Sequence, residues 1–278
     1  MSKNSQPKQA RPEKQSNDAA RSVFTAGAMI LAFVAALLIY KIVLGNPANF
    51  VGGNPNGHPL PGNYLGMVYK GGFIVPLLIT IVLVLLIFVI ERWITLRRAK
   101  GTGRINTFVR NLQNYLKNNE IDRAIESCDK QKGSIGNVMK AGLKKYKALQ
   151  SDPTLDKDQK LVSLQKEFEE ATALELPMLS RNLVILSTIA SISVLTGLIG
   201  TVLGMIRAFA AMGGSGGAAD ALALATGISE ALINTAFGIT GSTLAIIFYN
   251  YFSTKIDQMT YKIDEAGFSL VQTFAANN

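Results

Sequence analysis

Four long apolar runs decide what this chain can fold into. Ser22–Tyr40 (SVFTAGAMILAFVAALLIY) carries no charge over 19 residues, Gly71–Ile90 none over 20 and Asn182–Ile206 none over 25. The fourth, Gly227–Phe252, carries one carboxylate, Glu230. Runs of about 18 or more apolar residues read as membrane helices, because hydrocarbon leaves the backbone no partner but itself. The expected fold class is therefore an all-α integral membrane protein. It has four transmembrane helices, with long helices extending into a cytoplasmic helical domain. The first run does not read as a signal peptide: its apolar core is too long, and KIVLGNP follows it in place of a small-x-small cleavage site.

Net charge is +9 over 278 residues, and the placement of that charge matters more than its size. Residues 1–21 hold five Lys and Arg, and residues 91–181 hold 18. Between the first two runs there is only Lys70, with Lys41 at the boundary, and between the last two only Arg207. This is the positive-inside pattern. It places both termini and the middle segment in the cytoplasm. The middle segment also holds 12 acidic residues, so it is a mixed surface and not a nucleic-acid stripe.

The expected organisation follows from these runs. A basic, disordered tail near anionic lipid (1–21) leads into a first transmembrane helix (22–45) and a periplasmic loop rich in Gly, Pro and Asn (46–70). A second helix (71–96) enters the cytoplasmic helical domain (97–181). A third (182–206), a second periplasmic loop (207–226), a fourth (227–252) and a cytoplasmic tail (253–278) complete the chain. In the middle segment, Ile105, Phe108, Val109, Leu112, Tyr115 and Leu116 follow the amphipathic helical period. Ile121, Ala124, Ile125 and Cys128 repeat it, Lys132–Gly133 breaks it, and Ile135, Val138, Met139, Gly142 and Tyr146 begin another face. SDPTLDKD reads as a loop and a helix start. From there one very long helix is expected to run into the third span, with a kink at Pro177.

Enzyme chemistry has no foothold. There is no GxxxxGK[ST], HExxH or GxSxG, and no Cys/His ligand set, so no catalytic residue, cofactor or metal is expected. The one cysteine, Cys128, reads as a small buried apolar group, and the one histidine, His58, as loop surface.

The last two runs hold the polar exceptions. TGLIGTVLGMI places Gly197, Gly200 and Gly204 near one face, the small-residue pattern that lets membrane helices approach closely, with Thr201 among them. In the fourth run Glu230, Asn234, Gly238 and Gly241 form a single stripe, beside Thr235, Gly238 and Ser242. At about 1.5 Å per residue, Thr201 lies roughly 7 Å inside the outer edge, Glu230 roughly 5 Å and Thr235 roughly 12 Å. The three share a layer. A carboxylate in that layer points to a transport path. Against this, membrane threonines commonly bond only their own helix, and Glu230 lies close to the headgroups. A proton relay also needs more than one acid. Either a homo-oligomer makes a ring of carboxylates or a partner helix supplies the second acid.

Several segments in order resemble the MotA/TolQ/ExbB proton channel family, closest to ExbB, with TolQ next. They are IERWITLRRA, LPMLSRNLVILSTIASISVLTGLIGTVLGMIRAF and GISEALINTAFGITGSTLAIIFYNYF, within residues 72–256. The resemblance implies a three-helix core, to which this chain adds an extra N-terminal helix. It implies a homopentamer around a dimer of a single-span ExbD- or TolR-type protein that carries the proton-accepting aspartate. A TonB- or TolA-type transducer would pass the motion to the outer membrane, from the inner membrane of a Gram-negative bacterium, among membrane lipids and with protons as the transported ion. Thr201, Glu230 and Thr235 match the family's pore positions, with Gly197, Gly200, Gly204, Asn234 and Gly238 on the supporting face. One departure is Val194, where relatives carry proline before GLxGTV. An ExbB-type subunit for TonB-dependent uptake, a TolQ-type subunit for envelope integrity and a non-conducting scaffold all stay open.

Overall fold

The computed structural model describes residues 14–212 and 218–277; most of the expected N-terminal tail (1–13) and the middle of the second loop (213–217) lie outside the described residues. The protein is all-α, and four of its helices are long and apolar enough to cross a membrane. Its residues divide into two compact units, 1–87 with 192–241 and 88–191 with 242–278. Helices α3 (Ile74–Lys100), α8 (Leu183–Met212) and α9 (Ala218–Asn277) contribute to both.

In the first unit α1 (Lys14–Leu38) starts before the apolar run, at Lys14, and ends in a π-helical turn over Ile39–Leu44. Ala36 and Leu44 bury themselves against Val75 and Ile79 of α3, with Tyr40, Tyr69 and Phe237 packed around them. The extra N-terminal helix is thus held by apolar burial. The 46–70 segment is more ordered than its Gly, Pro and Asn content predicts. It holds 3-10 turns at Pro47–Asn49 and Val51–Gly53, one antiparallel bridge between Phe50 and Pro59, and a short helix α2 (Tyr64–Lys70). Asn63 caps α2 by accepting from the Gly66 amide at 3.0 Å. The buried Asn49 donates to the carbonyls of Val43 (2.8 Å) and Leu44 (3.0 Å), two groups at the end of the π turn. Tyr40 stacks on Tyr69 with ring centroids 4.6 Å apart and donates its hydroxyl to the Tyr69 carbonyl.

The second unit follows the amphipathic reading closely. Its helices are α4 (Ile105–Lys117), α5 (Ile121–Gln131), α6 (Gly133–Gln150) and α7 (Lys157–Ser180). Phe108, Leu112 and Leu116 are buried with Ala124, Cys128, Ile135, Val138, Met139, Leu143 and Tyr146 in one core. Full burial of each large apolar side chain is worth roughly 1.5–3 kcal/mol. The expected break falls at Lys132, which adopts φ 58° and ψ −175°, a conformation that glycine takes readily and residues with a side chain take only at a cost. A capping box of Asp156 and Gln159 starts α7, as the SDPTLDKD loop suggests. Gly142 leaves room for the Phe168 ring of α7, which occupies the space a Cβ would need. Burial pushes the Cys128 thiol up to about 12, which fits its reading as a packed apolar group.

Two expectations are corrected here. The continuous helix from 157 into the third span does not exist: α7 stops at Ser180 and α8 begins at Leu183. Arg181, at ψ −165°, leaves the helical path, and α3 supplies the groups that hold the break. Buried Arg92 donates to the Leu179 carbonyl at 3.0 Å, near the end of α7. Glu91 grips Arg92 through both carboxylate oxygens, each at 2.8 Å, and also accepts from Asn182 at 3.2 Å and from Thr95 at 2.9 Å. The segment expected as a tail after 252 is the continuation of α9. Its Ile263, Ala266, Leu270 and Phe274 are buried in the second unit's core.

Candidate functional site

The site lies in the first unit, where α8 meets α9. It begins with residues too small to keep two backbones apart. A Cβ on Gly197 would stand 2.8 Å from the Asn234 carbonyl oxygen and 3.0 Å from the Gly238 Cα. One on Gly200 would meet Asn234 Cβ at 2.6 Å, and one on Gly204 would meet Ala231 Cβ at 2.6 Å. On the other side, a Cβ on Gly238 would stand 2.7 Å from the Ser193 carbonyl oxygen. These glycines therefore lie in one seam, where Gly197 and Gly238 meet backbone atoms and Gly200 and Gly204 meet the side chains of Asn234 and Ala231.

The polar groups of the seam are paired across it. Buried Ser193 donates to the Gly238 carbonyl at 2.9 Å. The Thr201 and Thr235 hydroxyls hydrogen-bond to each other. Each also reaches the Gly197 carbonyl, at 3.3 Å and 3.2 Å respectively, and Thr201 has the Ala231 carbonyl at 3.4 Å. Thr201 and Thr235 are half-buried. Their pair brings hydroxyls from both helices together on a partly open surface.

Asn234 takes a different role from the pore face expected for it. It is 1% exposed, and its amide donates to the Gly71 carbonyl, 163 residues away in sequence, at 2.9 Å. Its Oδ1 is buried and finds no partner among the described residues. Asn234 thus ties α9 to the turn between α2 and α3. Glu230 is half-buried, and no hydrogen bond or ion pair joins it to either threonine among the described residues. The basic side chains of Lys70 and Arg207 belong to its surroundings. The structure therefore brings Thr201, Thr235, Gly197, Gly200, Gly204 and Gly238 together and leaves Glu230 one turn away. Sequence reasoning missed Gly71 and the cationic surroundings of Glu230. Ser193 was visible as a hydroxyl in the third run, but nothing in the sequence marked its partner.

No group of three or more metal-ligating side chains occurs among the described residues. The arrangement places hydrogen-bonding hydroxyls and a carboxylate along two helices long and apolar enough to cross a membrane.

Residues 130–265 match the MotA/TolQ/ExbB proton channel family. An ExbB-like biopolymer transport protein of Synechocystis is 44% identical over 85 residues, 30% of this chain and 40% of that protein. The Tol-Pal system protein TolQ of Pseudomonas aeruginosa is 28% identical over 173 residues, 62% of this chain and 74% of its own length. The biopolymer transport protein ExbB of Helicobacter pylori is 40% identical over 97 residues, 35% of this chain and 66% of its own length. The chain thus spans well under two thirds of the length of the Synechocystis relative.

Proposed function

We propose that this chain, which belongs through residues 130–265 to the MotA/TolQ/ExbB proton channel family, is the ExbB-type subunit of a proton-driven motor in the inner membrane. Five copies would surround a dimer of a single-span, aspartate-bearing partner of ExbD type. The proton motive force would be passed through a TonB-type transducer to transport across the outer membrane. The observation that carries the reading is the Thr201–Thr235 pair, two hydroxyls from different spans bonded to each other on a half-buried face of an otherwise apolar seam. Threonines that served only their own helices would not meet across the seam. A hydroxyl chain at such a face can pass hydrogen bonds to an acid on a partner helix, and the carboxylate of Glu230 one turn outward supplies negative charge at the mouth of that path. The charge pattern supports N- and C-termini in the cytoplasm.

Two long alignments support a second reading within the family. TolQ of Pseudomonas aeruginosa and TolQ of Haemophilus influenzae align over 62% and 70% of the chain. The chain then serves envelope integrity through a TolR- and TolA-type pair. The proton step is the same in both readings, and partner identity separates them.

Thr201→Val and Thr235→Val test the step. Each removes a hydroxyl and keeps the volume. The expected result is a complex of unchanged native mass that no longer conducts protons in proteoliposomes. Undiminished conduction would sink the proton-path role, and loss of the complex would reassign the pair to packing. Glu230→Gln is expected to slow conduction less than either threonine variant.

A further inference from the structure

The second unit holds a cavity unrelated to the threonine pair. It has a volume of about 960 Å³ and lies between the ends of α3 and the first apolar stretch of α9, where both leave their apolar runs and meet the start of α4. Six cations line it: Arg97, Lys100, Arg104, Arg110, Lys255 and Lys262. Asp257 is the one carboxylate of its lining. Among the described residues only Lys262 of these cations has a carboxylate partner, Glu265 at 2.8 Å, while Lys255 is near the Gln258 side-chain oxygen at 3.3 Å. So much uncompensated positive charge on one concave surface calls for an anion.

The rest of the lining says what kind of anion. Trp93 and Tyr251 stack at the mouth with centroids 6.1 Å apart, the Arg97 guanidinium lies 5.0 Å above the Trp93 ring, and the Lys255 ammonium lies 5.8 Å from the Tyr251 centroid. Both rings are 43% exposed, and they stand where the apolar runs end. Amphipathic rings collect at that level of a bilayer. Leu96, Phe252 and Met259 add apolar wall. The first turn of α4 also opens on the cavity through Ile105 and Asn106, without a side-chain cap, so its backbone amides add to the cationic field. A free phosphate compound would use the charges and leave the apolar wall idle. A phospholipid uses both.

We infer that this cavity is a binding site for the phosphate headgroup of an anionic glycerophospholipid, whose acyl chains lie along the apolar ends of α3 and α9. The inference requires a membrane protein but no particular proton path, so it stands or falls separately from the motor reading. Basic pockets beside membrane helices on the cytoplasmic side recognise lipid headgroups by the same chemistry.

The test is native mass spectrometry of the full-length protein, purified in its own complex, delipidated and titrated with phosphatidylglycerol or with phosphatidylcholine. Phosphatidylglycerol is expected to bind at least about tenfold more tightly. The triple variant Arg97→Gln, Arg104→Gln, Arg110→Gln removes three charges and is expected to lose about a hundredfold of that affinity. Millimolar inorganic phosphate is expected not to displace the lipid. Equal binding of the two lipids by the unaltered protein would overturn the inference without recourse to any variant, and so would full retention by the triple variant. Displacement by phosphate would assign the cavity to a soluble phosphate compound and overturn the lipid assignment.

Discussion

Helix α9 is held in two different ways along its length. Over residues 227–241 it is held by having almost nothing on its surface: Gly227, Ala231 and Gly238 let the backbone of α8 come into contact. Over residues 256–274 it is held by bulk: Ile263, Leu270 and Phe274 enter a core with Phe108, Leu143, Tyr146 and Phe168. Phe274 meets Tyr146 edge to face at 4.6 Å. The first mode suits a solvent of hydrocarbon, where large apolar side chains gain nothing by leaving lipid for protein and van der Waals contact and hydrogen bonds must do the work. The second suits water, where apolar area removed from solvent is the main driving force. One continuous helix therefore changes its packing chemistry with its surroundings.

The largest expected effect breaks the first mode. Gly238→Leu places a side chain where even a Cβ lies 2.7 Å from the Ser193 carbonyl oxygen. The α8–α9 seam should open, with loss of the monodisperse species by size-exclusion chromatography in detergent; a normal elution profile would mean that the seam is not what holds these helices. Next is Phe168→Ala, which empties the space facing Gly142. It should destabilise the second unit by about 3–5 kcal/mol, read as an earlier chemical-denaturation midpoint, while proton conduction by the surviving folded fraction is unchanged. Lys132→Gly sharpens the comparison from the other side. Relieving a backbone that disfavours a side chain should raise the second unit's stability by about 1 kcal/mol and leave the seam alone. The smallest effect is chemical. The folded Cys128 thiol titrates at about 12 against an ordinary 9.0. Stability from the buried neutral thiol is therefore complete below pH 9 and declines as pH rises from 9 towards 12. At pH 8, alkylation by iodoacetamide should be slow in the folded chain and fast in denaturant. Rapid labelling of the folded chain would show that this part of the core opens readily.

Much of this was legible in the sequence, for reasons that differ between regions. Apolar runs and 3.6-residue periods are local signals, so the existence of four long apolar helices and the buried faces of α4 to α6 could be read. The shared layer of Thr201, Glu230 and Thr235 was legible as depth from the helix rise, roughly 7, 5 and 12 Å in, though depth did not single out the two threonines as the pair. Three things were not. The bond from Asn234 to Gly71 joins residues 163 positions apart, and no local pattern records it. The break at Arg181–Asn182 is held by Glu91 and Arg92, themselves distant in sequence. Helix α2 hides among residues whose composition predicts coil. The helical spacing of Ile256, Met259, Ile263, Ala266, Leu270 and Phe274 was visible in the sequence, but it falls beyond the last apolar run, where a tail was the simpler expectation.

The closeness of the seam also governs how such a chain can drift over generations. At Gly197 and Gly238 every L-residue adds at least a Cβ into space that backbone atoms already fill, so a substitution there has to push the two helices apart. Leu195, Leu198, Ile199 and Val202, on the same helix α8, are each more than half exposed. In lipid they can exchange among aliphatic residues at little cost. Helix α8 is thus expected to resist substitution at Gly197 and to tolerate it at its exposed aliphatic positions, the two kinds interleaved at the period of the helix itself.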